Sequence, residues 1–149
     1  MQLKFKNQEL APAQKFLDGM TVTGAQQNIA RIRLITLIND KLKEVEEDRL
    51  TAIKQFANLD ENGNPKVNGN NYDVPKNKMA FLNKAVKDLS DQEAAITIDD
   101  YQPQITALRE VLLNYNEPLQ GQDAAALVGL IDKIELTGII LKDTEKEGN

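Results

Sequence analysis

Between Gly24 and Gly63 the chain contains neither glycine nor proline. No other feature limits the fold as tightly, because an unbroken run with apolar residues every three or four positions propagates as one helix. Ile35, Ile38, Leu42 and Val45 keep that spacing, and Ala52 and Phe56 continue the seam, with Arg49 interrupting it. Thr23-Gly24-Ala25-Gln26 has the spacing of a capping box, with Thr23 at the N-cap and Gln26 three residues on. These residues predict one helix over about residues 24–58. At 1.5 Å per residue it would be roughly 50 Å long. A compact domain of this size has a diameter of about 40 Å, judged from its radius of gyration. Such a helix bends, or the molecule is elongated, or the overhang packs on another chain.

The two halves of the helix differ. Ile29, Ile32, Leu34, Ile35, Leu37 and Ile38 point in several directions, which predicts burial nearly all round. Residues 39–51 carry eight charged side chains, from Asp40 to Arg49, and leave a single apolar stripe. Opposite charges there can pair at helical spacing, as with Lys43 and Glu47.

The flanking chain is easily divided. Residues 2–6 alternate and read as a short strand, with Leu3 and Phe5 on one face. Residues 8–18 read as a short helix that tolerates Pro12 only near its start, with Gly19 as the residue that ends it. Residues 58–75 are rich in asparagine, and Asn62-Gly63 and Asn68-Gly69 are turn dipeptides, so an exposed hairpin-like excursion is expected. Helices follow at about 76–90, 103–115 and 122–136, with a β-leaning stretch at 94–98 and Pro103 near a first helical position. Gly138-Ile139-Ile140-Leu141 reads as a short strand or a core cover, and residues 142–149 as a disordered charged tail. The expected fold is mostly α: a helical bundle or hairpin built on the long helix at about 24–58, with a short N-terminal strand and a small β-hairpin-like excursion near 58–75. One domain is expected over residues 1–141.

The residue inventory argues against an enzyme. The 149 residues include no histidine and no cysteine. That excludes disulfides, zinc sites built from thiolate and imidazole, and Ser–His or Cys–His nucleophile pairs. No apolar run approaches the ~20 residues that span a bilayer. The opening Met1-Gln2-Leu3-Lys4-Phe5-Lys6-Asn7 lacks the apolar stretch of a signal peptide, so a cytosolic product with no membrane partner is expected.

Carboxylate patterns give no strong site. Asp60-Glu61-Asn62-Gly63-Asn64 invites a calcium-loop reading, but glycine falls at position four and Pro65 at position six, where the loop needs glycine. A register begun at Asn64 places Gly69 correctly but puts Lys66 and Pro75 at ligand positions. Glu44, Glu47 and Asp48 share a helix face that could hold a hard cation, although a solvated face is the simpler reading. Asp99-Asp100 precede a helix and read as its cap. No glycine-rich phosphate loop is present. No metal and no cofactor is expected.

Net charge is −5. Five cations against two anions leave residues 1–33 at +3, and thirteen against twenty-one leave the rest at −8. Arg31-Ile32-Arg33 alone, without interleaved aromatics, does not make a nucleic-acid site. What remains is surface. Val45, Arg49 and Phe56 on the distal seam, with Arg31 and Arg33 upstream, are the candidate partner-binding residues. The partner is a host or phage protein, or a second copy of this chain. The alternative is an intramolecular hairpin in which the helix at 76–90 or that at 103–115 covers the seam.

The order Leu3-Lys4-Phe5-Lys6-Asn7, Phe16-Leu17, Arg31-Ile32-Arg33 and Asp60-Glu61-Asn62-Gly63-Asn64-Pro65 resembles a family of small uncharacterised proteins encoded by siphophages and prophages of Gram-positive bacteria. The resemblance covers roughly residues 1–70 and brings no catalytic residues with it. It implies a viral origin and a host-cytoplasm setting, with the virion as a second location. The expected function is that of a non-catalytic phage accessory protein that binds another protein, such as a component of host antiviral defence or host metabolism. Two other classes stand beside it: a virion assembly or tail-associated component, and an enzyme using a metal held by carboxylates.

Overall fold

Leu3 and Phe5 are buried on one side of the first strand, while Gln2, Lys4 and Lys6 face solvent. This is the alternation read from the sequence, here in a computed structural model that describes residues 1–138. The expected terminal tail and the residues from Ile139 to Leu141 lie outside the described residues. The strand, β1 (Gln2–Lys6), pairs antiparallel with a strand more than eighty residues away, Glu93–Thr97. Leu3 lies opposite Ile96 and Phe5 opposite Ala94, so the apolar faces of both strands coincide. Helices pack on that face.

The first helix, α1 (Asn7–Gly19), leaves β1 without a loop. The Lys6 backbone N–H donates to the Glu9 carboxylate at 2.8 Å and closes the first turn. Leu10, Ala13, Phe16 and Leu17 form its buried face. Two details differ from expectation. Pro12 lies inside the helix, where it has no N–H to give the Gln8 carbonyl. Gly19 is the last helical residue, and the chain leaves through Met20 in an extended conformation.

The long helix, α2, runs Ala25–Phe56, about 48 Å at 1.5 Å per residue. Its N-cap is Gly24 at φ 93°, and Thr23 does not cap it. The turn out of Val22 needs a positive φ, which glycine supplies and threonine does not, so the helix begins one residue later than the capping-box reading. The Asn28 amide secures this turn by donating to the Val22 and Gly24 carbonyls at 2.9 and 3.0 Å.

The expected overlength is resolved within the chain. The first half of α2 buries Ala30, Leu34, Ile35 and Ile38 in the main core. The second half forms an arm with α3 (Lys76–Asp91), which folds back along it. Ile53 of α2 and Leu82 of α3 are buried outside the main core and give the arm its own small apolar centre. Ile29 and Ile32, expected inside, are 44% and 51% exposed, because Ala30, Leu34 and Ile38 already define the inner face.

The excursion at the end of the arm is tied at its base, where Asn58 N–H donates to the Asp73 carbonyl and Lys66 N–H to the Asn58 carbonyl. β2 (Val67–Asn68) pairs with β3 (Asn71–Tyr72) across Gly69-Asn70. Gly69, at φ 65°, takes the first central position of that turn, as a II′ hairpin requires. The Asp60 carboxylate turns inward and accepts the Asn62 and Asn64 N–H groups at 2.9 and 3.0 Å.

After α3 the chain returns as β4 (Glu93–Thr97), and the end of α3 docks on the start of α1. Asn7 donates its backbone N–H to the Gln92 carbonyl at 2.9 Å and its side-chain amide to the Leu89 carbonyl at 2.8 Å. A 3-10 turn at Asp99–Tyr101 leads into α4 (Gln102–Leu113), and α5 (Gly121–Leu136) completes the described chain. Ile105, Leu108 and Leu112 of α4 meet Leu130 and Ile134 of α5 in the main core. The fold is mostly α, with two two-stranded antiparallel sheets among the described residues.

Candidate functional site

The five candidate residues are not brought to one place. Arg31 is an internal clasp: its Nη1 donates to the Leu17 carbonyl at 2.9 Å and to the Asp18 carbonyl at 3.4 Å, while Nε donates to Asn28 Oδ1 at 3.3 Å. The guanidinium thus serves the last carbonyls of α1, where a helix presents partial negative charge. Arg33 lies over the Tyr101 ring, 5.9 Å from its centroid. Val45 is half-buried and packs against the main core. Arg49 pairs with Glu46 at 3.3 Å. Phe56 stacks on Phe81 of α3, with centroids 6.4 Å apart and planes 13° apart.

That stack leaves an aromatic ring on the surface of the arm. Phe81 is 63% exposed although it is a large aromatic, and Met79 on the same helix and Leu59 and Val67 in the excursion are also exposed. Sequence reading did not single out Phe81, because the stripe of its helix runs through Met79, Leu82, Val86 and Leu89 and leaves Phe81 off it. Its signal was an aromatic on a face otherwise occupied by lysine and asparagine.

A second feature is a cleft of about 190 Å³ between α1 and α5, lined by Phe5, Pro12, Ala125, Ala126 and Gly129. Small residues on α5 leave the space. Lys133 closes one side, pairing with Glu9 at 3.2 Å and lying 5.2 Å from the Phe5 ring centroid. The lining of the cleft is mostly apolar, and Gln8, Glu9, Gln122 and Lys133 are its polar side chains. On the adjacent side Arg109 ties α4 to α5 through Glu135 at 3.1 Å.

The carboxylates do not converge. Glu44, Glu47 and Asp48 are all exposed, and Glu44 is taken by Lys41 at 3.2 Å. Asp99 pairs with the Met1 ammonium and makes no helix-capping bond. Among the described residues no group of three acidic side chains is placed to hold a metal. No helix among them is long and apolar enough to cross a membrane.

Fold and surface together define a mostly helical domain with a projecting helical arm and exposed apolar side chains on it. By its sequence the chain belongs to the family described as protein of unknown function DUF1617, whose model matches residues 1–142. No curated protein and no solved structure matches it.

Proposed function

We propose that this chain is a non-catalytic, phage-encoded accessory protein that acts in the host cytoplasm by binding another protein, a component of host defence or host metabolism. The observation that carries the reading is the exposed Phe81, held in place by stacking on Phe56. Aromatic side chains are enriched among the few residues that carry most of the binding energy of protein interfaces. A chain without histidine or cysteine is also poorly equipped for acid–base or nucleophilic work near neutral pH. The resemblance to siphophage and prophage proteins supports the viral origin.

The test is affinity capture from infected host cells with the tagged native chain and its Phe81→Ser variant. The proposal expects a host protein recovered in stoichiometric amount by the native chain and lost with Phe81→Ser. Recovery of the chain in purified particles, with no host protein captured, would overturn it in favour of a virion component.

A further inference from the structure

The side of α2 turned away from the molecule carries a second, separate surface. Ile29, Ile32, Arg33, Thr36, Asp40, Lys43, Glu47, Leu50 and Lys54 follow one another in steps of one to four residues along it, and all are exposed. Arg33 also lies over the Tyr101 ring at one edge of this face. Arg33, Asp40, Lys43 and Glu47 make no ion pair with any described residue, whereas Lys41–Glu44 and Arg49–Glu46 on the flanks do pair. The expected Lys43–Glu47 pair does not form.

Along this face the charges read plus, minus, plus, minus from Arg33 to Glu47, with Ile29 and Ile32 beyond one end and Leu50 beyond the other. Such an order is complementary to its own reverse. We infer that this face of α2 binds a second copy of the chain, antiparallel and about a two-fold axis near Asp40. In that register Arg33 of each copy meets Glu47 of the other, Ile29 meets Leu50, and the two Asp40 carboxylates at the axis are each flanked by the other copy's Lys43. Lys54 falls beside Gln26. An isologous contact requires one patch to complement itself, and this one does.

The contributions divide by type. Ion pairs at an exposed helix contact add little affinity, so the four charges set direction and register, and burial of Ile29, Ile32 and Leu50 supplies the attraction. The face lies on the opposite side of α2 from Phe56, so the inference is independent of partner binding at the arm.

Sedimentation of the full chain across micromolar concentrations tests it, with circular dichroism to confirm that each variant is folded. The native chain is expected to dimerise. Arg33→Glu is expected to weaken the dimer at least tenfold, and Arg33→Glu combined with Glu47→Arg to restore it. The chain has no cysteine, so Ile29→Cys and Leu50→Cys variants each carry a single thiol for a short bismaleimide. Mixed together they are expected to join, and each alone is expected not to. A monomer at all concentrations, a dimer indifferent to Arg33→Glu, or Ile29→Cys joining to itself as readily as to Leu50→Cys would overturn the inference.

Discussion

Phe56 and Phe81 lie nearly parallel, 6.4 Å apart, on two helices that extend beyond the main core. One ring is half-buried and the other mostly in solvent. The inner ring supports the outer one, and the apolar centre of the arm, Ile53 and Leu82, lies within the same pair of helices.

This arrangement separates stability from surface. Phe81→Ser loses a stacking contact and little burial, and is expected to cost about 1 kcal/mol. Ile53→Ala empties a site that is 2% exposed, and is expected to cost about 2–5 kcal/mol. Urea unfolding of both variants checks the contrast. Equal losses would mean that Phe81 is structural.

Arg31 and Arg33 are two residues apart and have different roles. Removing Arg31 leaves the Leu17 carbonyl without its charged donor at the end of α1. Arg31→Met is therefore expected to lower stability by about 1.5–3 kcal/mol. Arg33→Met loses only an exposed cation–π contact and is expected to cost about 0.5–1 kcal/mol. Denaturant midpoints of the two variants measure the difference.

The two glycines that bracket the α1–α2 connection should respond oppositely to alanine. Gly19 is helical, and a Cβ there meets nothing within 4 Å. Gly19→Ala is expected to raise stability by about 0.5–1 kcal/mol. Gly24 sits at φ 93°, where an L side chain is strained. The nearest atom to an added Cβ is the Gln27 amide oxygen, the free end of a side chain that can move. The backbone strain stays, and Gly24→Ala is expected to cost about 1–2 kcal/mol. Thermal melts of both variants test the sign.

The helices were legible in the sequence because spacing alone carries them. The long helix, the arm helix and the last two were placed within a few residues of their observed ends. What spacing does not carry is partnership. Nothing local indicates that Leu3 faces Ile96, since that pairing depends on the whole intervening chain. Nor does composition tell an inner isoleucine from an outer one: Ile29 and Ile32 read as core until the positions of Ala30, Leu34 and Ile38 defined the inner face. The candidate residues divide in the same way. Val45 packs against the main core and Phe56 against Phe81 of α3, and Phe81 presents the exposed ring. Arg31 gave no sequence signal of its role, because the acceptors that tie it to α1 are the backbone carbonyls of Leu17 and Asp18.

The proposed binding of a protein partner through the arm would leave a footprint on the chain. Hydrogen exchange on the chain, alone and with the captured partner bound, tests it most directly. Slowed exchange is expected at residues 56–60 and 76–82, with the α1–α5 cleft unchanged. Protection confined to the cleft, or no protection on the arm, would contradict it.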